Sequence, residues 1–230
     1  MKRFYKNAAA GPADSGFHVL LDERAMKTQG AAKLLVPSRR LADAIASEWH
    51  EVSESVDPHA MPLTRLAFAA IDSVKPHRDQ IIETIAAFGD SDLLSYRADN
   101  PKELVARQAR AWDPLLDWSA QRHRARLRVT TGILHIAQPE EARAALRSAV
   151  AAHDDFTLAA LHIATAITGS LVIALALSEG RLGATEAFAA ATIDEAWQAE
   201  KWGQDEEAQT RLKRHQGELA AAERFLRLLA

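Results

Sequence analysis

From Leu158 to Leu177 the chain runs twenty residues, LAALHIATAITGSLVIALAL, without a lysine, arginine, aspartate or glutamate. Such a stretch has two outlets. It approaches the ~20 residues a helix needs to cross a bilayer, and it also suits a helix buried on every side in a water-soluble domain. His162, Thr165, Thr168, Gly169 and Ser170 dilute its hydrophobicity, its flanks are those of a soluble helical protein, and the sequence offers no second span. The expectation is a buried central helix from Asp155 to Ser178, with no membrane insertion. Membrane association through this segment is the competing reading.

At 230 residues the chain has material for one large or two small domains. Its 48% hydrophobic and 26% charged content is that of a globular protein with a real core. A net charge of −3 supplies no overall basic field to recruit nucleic acid. The absence of cysteine excludes disulfides, thiolate nucleophiles and cysteine metal sites. The opening MKRFYKNAAAGPADSG is basic but lacks the apolar run of a secretory signal and is too mixed for an organelle presequence. A bacterial cytoplasm is expected, with the mitochondrial matrix as the eukaryotic equivalent.

The fold class expected is α+β, with a small strand-containing domain over residues 1–60 and a larger all-helical domain over 61–230. Phe17–Leu21 reads as a strand, Asp22–Arg24 as a turn, Met26–Thr28 and Lys33–Val36 as short returns. Ser38 is placed to cap a helix bearing Leu41, Ala42, Ile45 and Trp49 on one face. Further helices are expected from Met61, around Pro76 to Gly89, from Asn100 to about Gln121 with Asn100 as cap, from Pro139, from Ala184 to about Trp202, and from Asp205 to Leu228. Asp90–Ala98 reads as irregular or briefly extended, and Val129–Ile136 as two short strands around Gly132. The alternating Arg122, Arg124, Arg126 and Arg128 lack interleaved aromatics and read as a solvated turn.

One stretch stands out chemically. Ile193–Ala208, IDEAWQAEKWGQDEEA, sets Trp197 and Trp202 among Asp194, Glu195, Glu200, Asp205, Glu206 and Glu207, with Lys201 the one local cation. Ala, Glu, Gln and Lys favour a helix before Gly203, which interrupts or kinks it. Large aromatic rings beside fixed charges are how protein interfaces gain affinity and register. The same pattern also describes a helix whose tryptophans enter the core and whose acids are solvated.

Evidence for catalysis is sparse. There is no Gly-rich phosphate loop, no HExxH spacing and no Gly-x-Ser-x-Gly elbow. His153-Asp154-Asp155 has metal-binding residue types but sits where a helix boundary is expected. No catalytic residues, metal or cofactor are assigned. An enzyme with a dispersed His/Asp/Glu acid–base site in the helical domain is the alternative, and it needs opposed, desolvated groups in a pocket.

Motifs running nearly end to end carry a family likeness. They are Lys2-Arg3-Phe4-Tyr5, Val19-Leu20-Leu21-Asp22 with Lys27-Thr28, Leu41-Ala42 through Glu48-Trp49, and Asp57-Pro58 with Met61-Pro62-Leu63-Thr64-Arg65-Leu66-Ala67. Then come Asp92-Leu93-Leu94 with Tyr96-Arg97-Ala98, Trp112-Asp113-Pro114-Leu115, Trp118, Thr168-Gly169-Ser170 and the acidic tryptophan stretch. In this order they resemble the ATP-twelve type assembly chaperones of the ATP synthase catalytic head. The resemblance implies a small N-terminal α+β domain, a helical C-terminal domain, and a non-catalytic binder of the unassembled α subunit that shields its subunit interface from aggregation. A monomer is expected. It carries a partner-binding role onto Asp194, Glu195, Trp197, Glu200, Trp202, Asp205 and Glu206. Departures fall at Glu23, Ala25 and Gln29, where the family tends to have Gly and Pro, at Ser95 for Cys, and at Gln204 for an acid.

Overall fold

The computed structural model describes residues 2–203 and 205–230; Gln204 lies outside them. In chain order the strands are β1 (Ala8–Ala13), β2 (Gly16–Leu21), β3 (Arg24–Ala25), β4 (Leu35–Val36), β5 (Tyr96–Arg97) and β6 (Thr130–Thr131). The α-helices are α1 (Arg39–Glu51), α2 (Pro62–Ala69), α3 (Arg78–Ala86), α4 (Lys102–Arg122), α5 (Glu140–Ala151), α6 (Asp155–Thr168), α7 (Leu171–Ser178), α8 (Ala184–Ala191), α9 (Ile193–Trp202) and α10 (Glu206–Leu229). A small strand region followed by a mostly helical chain is the expected α+β class.

Two compact units form. One takes the chain up to Arg78 together with Asp154–Ala160 and Ala221–Ala230, and the other takes Asp79–His153 and Leu161–Ala220. Residue 60 falls inside the first.

In the first unit β2 is the central strand. It pairs antiparallel with β1 from Ala8↔Leu21 to Ala13↔Gly16, with β3 at Leu20↔Ala25, and with β4 at Phe17↔Val36. The sequence reading had no β1, because AAAGPA lacks the branched and aromatic residues that mark strands. Pro12 is tolerated there because β1 lies at the sheet edge. The return expected at Met26–Thr28 is a strand at Arg24–Ala25 instead, after a turn in which Asp22 and Glu23 both have positive φ, at 46° and 70°. Gly16 has φ 130°, and a Cβ there would meet the Val36 carbonyl oxygen at 2.5 Å, so the hairpin needs glycine.

Helix α1 packs on β1 and β2 and buries Leu41, Ala42, Ile45 and Trp49. Ser38 caps it, its hydroxyl accepting from Leu41 N–H at 3.0 Å. At the start of α2, Met61 has no side-chain oxygen to offer. Glu48 on α1 supplies it, its carboxylate accepting from the N–H groups of Leu63 and Thr64, both at 2.8 Å. Between α2 and α3 the helical path runs on through a π turn (Ala70–Val74) and a 3-10 turn (Lys75–His77), so Pro76 lies within a continuous helical run where two helices were expected.

The second unit has the apolar stretch from Leu161 onward in its core. All of Leu171–Leu177 is buried. The single helix expected over Asp155–Ser178 is two. Gly169 adopts φ 64°, and the Ser170 hydroxyl caps the new helix by accepting from Ile173 N–H at 3.0 Å. Among the described residues no helix is long and apolar enough to cross a membrane. The break is held by Asp92, whose fully buried carboxylate accepts from Leu94 N–H at 3.0 Å and from Val172 N–H at 3.1 Å.

Two further boundaries differ from expectation. Asn100 does not cap α4; Pro101 occupies that position and the Asn100 amide turns to Asp99. The helix expected from Ala184 to Trp202 divides at Thr192, whose hydroxyl donates back to the Phe188 carbonyl at 2.8 Å. Of the two strands expected around Gly132, Thr130–Thr131 forms one, parallel to Tyr96–Arg97.

Candidate partner-binding surface

Thr192, at φ −115° and ψ 26°, ends α8, and α9 begins at the next residue with the acidic stretch on it. The first residue of α9, Ile193, and Trp197 one turn on are buried, as i and i+4 residues on one face should be. Trp197 is 8% exposed. The Arg107 guanidinium of α4 lies 5.1 Å from its ring centroid and the Lys201 ammonium 4.7 Å away, so two cations sit over an indole that is itself part of the packing.

The acids divide into tied and untied groups. Asp194 accepts from the Gln108 side-chain amide at 2.7 Å, while the Gln108 oxygen accepts from Ala98 N–H at 2.8 Å. Glu200 is gripped by Arg107 through parallel bonds of 2.8 and 2.9 Å. Those bonds hold the Glu200 carboxyl below its ordinary range and raise Arg107 above its own. Asp205 caps α10, its carboxylate accepting from Ala208 N–H at 2.8 Å. Glu195, Glu206 and Glu207 are exposed.

Gly203 closes α9 with φ 89° and donates its N–H to Ala199 C=O at 3.1 Å. The chain turns there, leaving Trp202 uncovered at 78% exposure. Its indole borders two grooves. One, of about 630 Å³, includes Pro101, Leu104, Trp197 and Lys201. The other, of about 300 Å³, lies between α9 and α10 and is edged by Glu195, Asp205, Arg211 and Leu212. A third groove of about 730 Å³ is walled by Ala111, Leu115, Leu182 and Phe188, with Arg107 and Glu200 also lining it.

The structure thus gathers all seven sequence-assigned residues on α9 and the start of α10, but gives them different tasks. Trp197 is core, Trp202 is surface; Asp194 and Glu200 are tied to α4, Glu195 and Glu206 face solvent. Sequence reasoning missed Arg107 and Gln108, which come from a distant part of the chain and carry no local signal. Lys201, four residues after Trp197, had one in its spacing.

Several ionisable groups elsewhere are engaged in the fold. Asp154 caps α6 through the N–H groups of Phe156 and Thr157, and Asp155 pairs with Arg78 at 2.6 Å. Burial pushes the carboxyls of Glu48 and Asp92 up, and both accept backbone N–H groups. Burial pushes the His123 imidazole down, partly offset by Glu179 at 3.1 Å. Among the described residues no three His, Asp or Glu side chains come together as a metal site.

Residues 2–120 match the model of the family described as ATP12 chaperone protein. The chain belongs to the ATP12 chaperone family. These are assembly chaperones of the ATP synthase. It is 44% identical to Atp12 from Paracoccus denitrificans, with a TM-score of 0.96 covering 100% of this chain and 98% of that one. A solved aspartate-to-lysine mutant of the Paracoccus protein is similarly close, at 43% identity. A solved protein from Agrobacterium tumefaciens, described as a chaperone candidate, is 42% identical with a TM-score of 0.94, covering 100% of this chain and 86% of that one. The mitochondrial protein atp12 of Schizosaccharomyces pombe is 27% identical over 219 residues, 90% of this chain and 75% of that relative.

Proposed function

We propose that this ATP12-family chain binds the free α subunit of the ATP synthase catalytic head and covers the surface that α later buries against β. Exposed apolar interface on a waiting subunit aggregates. A chaperone for it must bind well enough to compete with self-association and still yield to the true partner. That requirement favours a modest, charge-steered surface over an obligate hydrophobic one.

The observation that carries the reading is Trp202. A tryptophan left 78% exposed, between two grooves and beside the exposed Glu195, has the composition of an interface anchor with a polar rim, to which the exposed Glu206 adds charge at the start of α10. Asp194, Trp197, Glu200 and Asp205 hold that surface in shape. The action is non-catalytic in this reading, since the buried acids Glu48 and Asp92 are occupied with capping helices. The bacterial relatives of known structure favour a bacterial cytoplasm as the place of action.

The test is a binding measurement between purified chaperone and isolated α subunit, with Trp202→Ala alongside the unaltered chain. At least a tenfold loss of affinity in a variant with unchanged folding supports the reading. Equal affinity removes Trp202 from the contact.

A further inference from the structure

Between α4 and α5 a loop is closed at its base by one buried side chain. The Gln138 oxygen accepts from Arg128 N–H at 2.7 Å, and its amide donates to Arg128 C=O at 3.1 Å and to Ser95 Oγ at 3.2 Å. Gln138 thereby satisfies both peptide groups of Arg128, as a neighbouring strand would. Just beyond, β6 pairs with β5, and Gly132 N–H donates to Arg97 C=O at 2.9 Å. The stem is pinned.

The tip is bare. Ile133 is 98% exposed and Leu134 79%, with Val129 also exposed at the side. Nothing in the pinning of the stem calls for aliphatic side chains there, and adjacent uncovered aliphatics on a held loop mark an interaction site rather than scattered surface apolarity. The approach to the tip alternates. Ala125 and Leu127 point inward and are buried, while Arg124, Arg126 and Arg128 are exposed. Arg122 is paired with Glu179, but among the described residues Arg124 and Arg126 have no acidic partner.

We infer that this loop is an aliphatic plug for an apolar socket rimmed by carboxylates on the client. The inference rests on the α-subunit reading and adds a second contact to it. Uncompensated guanidiniums behind an aliphatic tip select a partner surface with acids around a hydrophobic recess. With an acidic patch on α9 and α10 and a basic one behind this loop, the client is accepted in one orientation, because the reversed pose sets like charges together.

The full-length chain and the double variant Ile133→Ser/Leu134→Ser are titrated against isolated α subunit at physiological salt. The expected result is at least tenfold weaker binding by the variant with an unchanged denaturation midpoint. Arg124→Glu/Arg126→Glu should slow association severalfold, with the difference fading at high salt. If the unaltered chain does not bind α at all, the α-subunit reading fails and this inference with it. If it binds and both double variants bind equally well, this inference alone fails. Two parallel arms can also overturn it: loss of binding only to anionic phospholipid vesicles, or loss only of self-association, with α affinity unchanged in either case.

Discussion

Glu48 and Thr64, sixteen residues apart, are joined by two hydrogen bonds at one point. The Glu48 carboxylate accepts from Thr64 N–H at 2.8 Å and from Thr64 Oγ1 at 2.7 Å, while Thr64 Oγ1 also accepts from the Trp49 indole N–H at 3.1 Å. A charge-bearing side chain of one helix thus serves as the missing cap of the next. The pair lies wholly in the first unit and explains why a glutamate and a tryptophan stand together in an otherwise apolar face.

Replacing Glu48 by alanine should cost about 2–4 kcal/mol, because the buried N–H groups of Leu63 and Thr64 lose their acceptor. Urea denaturation measures it directly. A cost below about 0.5 kcal/mol would mean that water replaces the carboxylate.

The same group gives a pH dependence. Burial holds the Glu48 carboxyl above its ordinary 4.5, so the folded chain keeps that proton to higher pH than the unfolded chain. Its contribution is therefore fully present below the ordinary value and declines as pH rises through the folded one. Compared with Glu48→Gln, the unaltered chain should lose relative stability on going from pH 4 upward and then level off. Denaturation midpoints of both chains across that range check the slope, and a relative gain with rising pH would reverse the assignment.

The two tryptophans of the acidic stretch should respond oppositely. Trp197→Ala removes a buried ring and should cost about 3–5 kcal/mol of stability. Trp202→Ala should leave the midpoint within about 0.5 kcal/mol while weakening α binding. Parallel unfolding and binding curves separate the effects.

Charge reversal sorts the acids. Glu195→Lys with Glu206→Lys alters exposed groups and should slow association with α and flatten its salt dependence, with folding intact. Glu200→Lys also breaks the bidentate bond to Arg107 and places a cation beside Arg107 and Lys201, so its effect mixes binding with local structure. Stopped-flow association at low and high salt distinguishes them.

Legibility in the sequence followed the range of the interactions. Ser38, Leu41, Ile45 and Trp49 were readable because capping and helical spacing are local. The division of the apolar stretch was marked by Gly169-Ser170, but a long apolar run outweighed two residues. Strand β1 was invisible because AAAGPA owes its conformation to pairing with β2, not to its own residues. At the candidate surface, composition singled out the acidic tryptophan stretch, yet nothing local told Trp197 from Trp202. That difference comes from the break at Thr192, the turn at Gly203 and the approach of Arg107 from α4. The aliphatic tip at Ile133-Leu134 read as strand for the same reason: exposure depends on what the rest of the chain leaves uncovered.

The central claim is tested most directly by mixing the purified chain with isolated α subunit, and separately with the assembled catalytic head, and determining complex masses by size-exclusion chromatography with light scattering. The account predicts a discrete complex with free α, suppression of its aggregation, and no complex with the assembled head. Absence of any complex with free α, or equal binding to the assembled head, would contradict it.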